Sequence, residues 1–159
     1  MQQWLLFLHL AAVLAFMLVH GIHVTIMWAW RREPDPERGL TLFNGVPDIP
    51  LTRIFIVAVV ATGLLAGFVG PWWRQWWMWL SLALLIGIWV AMYRWGGGFF
   101  NLVQAAAEGA IEERNSGSGS TTAMDAYHAT RRGWHPVAMM AVGIGGLAVI
   151  LWLMIFKPF

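Results

Sequence analysis

The chain of 159 residues contains no cysteine, which excludes disulfides, iron–sulfur clusters and thiolate metal sites. Charge is scarce as well. Only 11% of residues are charged, against roughly a quarter in soluble domains, too few to cover a water-facing surface. Ten Lys and Arg against eight Asp and Glu leave a net charge of +2, a small excess that does not point to nucleic acid. Every carboxylate falls outside the long apolar runs. Without a carboxylate at the midplane, an ion-coupled pump or transporter made by this chain alone is not expected. There is no HExxH pair and no phosphate-cradling loop. The glycines at 143, 145 and 146 lie inside an apolar run with no preceding strand, so they are not a dinucleotide fingerprint. No basic residue precedes the first apolar stretch and no small-x-small site follows it, so no cleavable signal peptide is expected.

What the chain has is apolar length. Apolar residues make up 59% of it, gathered in runs near twenty residues, the length that crosses about 30 Å of hydrocarbon. The expected fold is all-α: one transmembrane domain, a four-helix bundle with spans at about 4–30, 51–70, 75–94 and 136–156. The first would reach roughly 40 Å and must tilt or protrude. The connection 31–50 carries Pro34, Pro36, Pro47 and Pro50, which exclude a continuous helix. Its Leu40, Leu42 and Phe43 are expected against the bilayer interface or the bundle. In the connection 96–135, Gly96–Gly98 should interrupt the third helix, followed by an amphipathic extension to about Arg114. A flexible linker over 115–120 and a short helix near Thr122–Arg132 then lead to Pro136. Gly63 and Gly67, the stripe Ala58, Thr62, Ala66 and Gly70, and the pair Ala141 and Gly145 predict close helix packing.

Orientation follows from the basic residues. The first and third connections share Arg31, Arg32, Arg38, Arg53, Arg94, Arg114, Arg131 and Arg132, and the other side holds only Arg74 and Lys157. The positive-inside rule makes connections 31–50 and 96–135 cytoplasmic and places both termini on the outer side of a bacterial plasma membrane. The tryptophans fit belts at two interfaces: Trp4, Trp72, Trp73, Trp76, Trp77, Trp79 and Trp152 outside, and Trp28, Trp30, Trp95 and Trp134 inside.

The first helix carries the chemistry. His9 and His20 stand eleven residues apart and return to nearly the same helical angle, about 16 Å along the axis, and His23 lies on the adjacent edge. Ionisable side chains inside a membrane face a bundle interior or a cavity, so three on one stripe point to a function. Neutral imidazole ligates haem iron, copper or zinc. A b-type haem would take His20 or His23 opposite His135. A copper or zinc ion would take His20, His23 and His135 together. His9 could join Met78 or Met154 in a softer set suited to copper. The alternatives are hydrogen bonding between helices with no cofactor, and protonation or quinone contact.

The opening Phe7-Leu8-His9-Leu10-Ala11-Ala12 and the closing Leu153-Met154-Ile155-Phe156-Lys157-Pro158 resemble a bacterial family of four-helix membrane proteins related to the copper-resistance D membrane domain. More distantly, they resemble HemJ-type protoporphyrinogen oxidases. In that wider group a histidine near the start of the first helix, here His9, recurs, and the resemblance implies a four-helix bundle and haem or copper binding. No span contains the internal lysine of a HemJ-type enzyme, so oxidase activity is not expected, and the leading reading has no independent catalytic activity. Two readings result. One is a small membrane subunit or accessory protein binding haem b or copper for electron transfer or metal handling. The other is a purely structural subunit of a larger respiratory or photosynthetic complex. The partners expected are the lipid bilayer and other membrane-protein subunits, with no nucleic acid.

Overall fold

A computed structural model of the chain describes residues 1–45, 49–117 and 119–158. Among these residues the fold is all-helical. Helix α1 is Gln2–Arg32, α2 Pro36–Asn44, α3 Ile49–Val69, α4 Trp76–Ser116, α5 Thr122–Arg132 and α6 His135–Phe156, with a 3-10 turn at Pro71–Arg74 before α4. Four stretches are long and apolar enough to cross a membrane: Gln2–Arg32, Leu51–Val69, Trp76–Ser116 and Thr122–Phe156. Little of each is fully buried inside the protein, as expected of helices solvated by lipid.

The helix ends follow from local chemistry. Arg31 and Arg32 occupy the last turn of α1, where cations meet the negative end of the helix dipole, and Pro34 stands just beyond. The 31–50 connection holds α2, a helix of nine residues that the proline count did not suggest. Asp35 caps α2, its side chain accepting from the Glu37 N–H, and Pro36 takes a first-turn position that needs no N–H donor. Pro47 lies outside the described residues. The expected break at Gly96–Gly98 is absent, and α4 runs unbroken for 41 residues, roughly 60 Å. Each glycine costs a helix under about 1 kcal/mol. The fully buried Val103, Ala107 and Ala110 on the following turns offset that cost by packing. Asn115 and Ser116 of the expected linker are helical, and α4 stops at Gly117, whose φ of +63° is the left-handed conformation that favours glycine. Residue 118 lies outside the described residues.

The chain divides into two compact units: Met1–His23, Pro47–Ile88 and Ile144–Phe159 form one, and Val24–Val46 with Trp89–Gly143 form the other. In the first unit, Phe16, Val19, Val59, Ala66, Trp77, Ile150 and Leu153 are buried. The absent Cβ of Gly146 leaves room for Ile88. The Lys157 ammonium sits 5.0 Å over the Trp72 ring and 5.5 Å from that of Trp77, tying the end of α6 to the α3–α4 turn by cation–π attraction.

The second unit is built around Trp30, which is fully buried and so is not part of an interfacial belt. Its ring meets Phe43 at 5.1 Å, Phe99 at 5.9 Å and Tyr127 at 6.4 Å, all edge to face. Burying one indole contributes roughly 4–6 kcal/mol by area. Leu40 and Phe43 of α2 pack against this cluster. Two arginines cap each other's helices. Arg131 donates to the Arg31 carbonyl at 2.9 Å, and Arg31 donates to the Gly133 carbonyl at 3.2 Å. Arg114 bonds Asp35 at 3.2 Å and also bonds Glu37, joining α4 to the start of α2. Glu113 supplies the cap that Thr121 does not, its Oε2 accepting from the Ala123 N–H at 3.0 Å and the Met124 N–H at 3.1 Å.

Candidate functional site

The three α1 histidines all fall in the first unit and are half-buried. His9 Nδ1 lies 3.0 Å from Thr62 Oγ1. The single hydroxyl proton of Thr62 is already directed to the Ala58 carbonyl at 2.6 Å, so the hydroxyl accepts and His9 Nδ1–H donates. His9 Nε2 then carries the lone pair. The ring is seated on Gly63, where a Cβ would stand 3.0 Å from His9 Cε1. One turn on, a Cβ at Gly67 would stand 2.9 Å from Met78 Sδ. The GxxxG pair therefore admits two side chains, rather than the backbone of a neighbouring helix.

His23 is fixed by a different acceptor with the same result. Its Nδ1–H donates to the Val19 carbonyl at 2.8 Å, leaving Nε2 with the lone pair. Spending Nδ1–H on a backbone carbonyl is how metal-ligating histidines are held in orientation. His20, one helical turn away, stacks on Phe16 with ring centroids 5.9 Å apart and planes inclined by 18°. Its Nε2 is buried and has no hydrogen-bond partner. A buried imidazole nitrogen without a partner forfeits on the order of 1–3 kcal/mol of hydration unless a ligand compensates. These features fit a group that takes imidazole nitrogen.

The remaining candidates are on α5 and α6. His135 opens α6 in the second unit, is exposed, and lies between Trp134 at 4.2 Å and Phe99 at 6.4 Å. Met154 is half-buried on α6 in the first unit. His128 is half-buried on α5, its Nδ1 3.4 Å from an Arg131 guanidinium nitrogen. Among the described residues, no three His, Asp or Glu side chains gather closely enough to hold a metal ion as a closed cage. The groups that sequence reasoning missed are the acceptors, Thr62 and the Val19 carbonyl. Thr62 is a polar residue within an apolar run beside Gly63, a signal open to reading. A backbone carbonyl leaves none.

No family model matches the chain, and neither a curated protein nor a solved structure does.

Proposed function

We propose that this chain is a small multi-pass subunit or accessory protein of the bacterial plasma membrane that binds b-type haem or copper through α1. Its role is electron transfer or metal handling, without independent catalysis. The observation that carries the reading is the His20–His23 pair: one buried Nε2 without a partner, and beside it one Nε2 left free because Nδ1–H is spent on Val19. Haem iron asks the protein for one or two axial imidazoles, fewer ligands than a closed copper or zinc cage, so haem suits two histidines better. Such an iron would supply one-electron redox chemistry, and His20 and His23 of α1 would hold it. His9 with Met154, both in the first unit, would be the candidate for copper. The short terminal motifs that resemble the copper-resistance D family support the same reading. The eight-to-two division of basic residues supports cytoplasmic 31–50 and 96–135 segments, with both termini outside.

The test is separate replacement of His20 and His23 by Gln, reading bound haem and copper after purification in mild detergent. Loss of the bound group with retained folding is the expected result. Full retention of assembly and of any bound group in both variants would leave the chain a structural subunit.

A further inference from the structure

In the second unit most carboxylates serve internal contacts, Glu112 being the exposed exception. Asp35 and Glu37 hold Arg114, Glu113 caps α5, and Glu33 accepts from the Asp35 N–H at 3.2 Å. Among the described residues of this unit, three exposed arginines, Arg32, Arg94 and Arg132, have no carboxylate partner. Arg38, equally exposed, has one in Asp35 at 3.8 Å. Each of the three unpaired cations stands beside an exposed aromatic residue where an apolar run ends. The Arg32 guanidinium lies 4.8 Å over the Trp28 ring, which is 45% exposed. Arg94 follows Tyr93 and precedes Trp95, 70% and 58% exposed. Arg132 stands two residues before Trp134, 69% exposed.

Exposed indole and phenol rings at the end of an apolar helix settle at headgroup depth, where the ring is shielded and its N–H or O–H is wet. The phosphodiester of a phospholipid lies at that depth. A guanidinium presents a planar fork of donors that matches two phosphate oxygens, and these three are not neutralised from within the protein. A zwitterionic headgroup brings an ammonium that opposes the contact, whereas an anionic one does not. We infer that Arg32, Arg94 and Arg132, with their neighbouring aromatic rings, form a binding surface for the headgroups of anionic phospholipids. Such binding depends on the apolar helices sitting in lipid, and on neither the histidines nor the sidedness of the protein.

The experiment is native mass spectrometry of the full chain in neutral detergent, supplied with equimolar phosphatidylglycerol and phosphatidylcholine of identical acyl chains. Phosphatidylglycerol is expected to be retained preferentially. Arg32→Gln, Arg94→Gln and Arg132→Gln should each weaken it by about five-fold, the contribution of one basic residue near an anionic surface, and leave phosphatidylcholine unchanged. Arg38→Gln should leave both lipids unchanged. Equal retention of the two lipids by the wild-type protein, or an Arg38→Gln effect as large as the other three, would overturn the inference. Should a variant fail to fold, the wild type still decides. Raising the salt to roughly 0.5 M must erode the phosphatidylglycerol preference by screening, and a preference indifferent to salt overturns it too.

Discussion

Gly39 and Tyr127 form the tightest joint in the second unit and allow a quantitative test of how that unit is held. The Tyr127 hydroxyl occupies the place where a Cβ on Gly39 would stand, and it donates to the Glu33 carbonyl at 3.2 Å. Tyr127→Phe removes that hydrogen bond and should cost about 1 kcal/mol. Gly39→Ala drives a methyl group into the hydroxyl. Overpacking of this kind costs about 1–3 kcal/mol, against which alanine returns about 0.5–1 kcal/mol of helix preference. With the hydroxyl gone, the nearest atoms to the new methyl are Tyr127 Cζ at 3.2 Å and Trp30 Cδ1 at 3.3 Å, contacts that a shift of a few tenths of an ångström relieves. The double variant should therefore be about as stable as Tyr127→Phe alone, a favourable coupling of roughly 1–2 kcal/mol. Unfolding in mixed micelles with increasing dodecyl sulfate, followed by tryptophan fluorescence, supplies the four stabilities of the cycle. Additivity within about 0.5 kcal/mol would refute the packing of α2 on α5 described above.

Three further outcomes are expected. The Ser120 hydroxyl first, and then the N–H groups of Met124, Ala123 and Thr122, hold the Glu113 carboxyl below the usual carboxylate range. A folded pKa below the unfolded value near 4.5 means that the cap contributes above that pH and is lost as pH falls through the folded pKa. Amide exchange at Ala123 and Met124 should accelerate selectively in acid and, at neutral pH, in Glu113→Ala; equal protection in the variant would contradict the cap. Nitrogen-15 NMR of labelled histidine should show neutral His9 and His23 protonated at Nδ1, and Gly63→Leu should abolish the His9 signature alone. Protonation at Nε2 in either would remove its lone pair from the proposed site. Because the chain has no cysteine, single substitutions report sidedness cleanly. In intact cells Gln75→Cys should react with an impermeant maleimide and Ser120→Cys should not, and the reverse pattern would invert the proposed orientation.

The four long apolar helices were legible because the membrane requirement is written in composition: a run long enough, apolar enough and free of carboxylates. The second unit was not. Helix α2 forms where prolines argue against helix, since both Asp35 capping and burial of Leu40 and Phe43 against Trp30 are needed, and only the cap is local. Trp30 looked like one more interfacial indole, because burial at the centre of a cluster leaves no mark in the residue itself. Gly96–Gly98 read as a break for the same reason, since the packing of Val103, Ala107 and Ala110 lies later in the chain. Among the candidate residues, periodicity placed His9, His20 and His23 on one stripe. It could not show that His23 bonds its own helix while His9 crosses to Thr62, which is what leaves Nε2 available in both.

The central claim is tested most directly by the absorption spectrum and metal content of the protein purified from its own membranes in mild detergent. The account predicts a Soret band, or copper in stoichiometric amount, that disappears when His20 and His23 are both replaced by Gln. A folded wild-type protein with neither would contradict it.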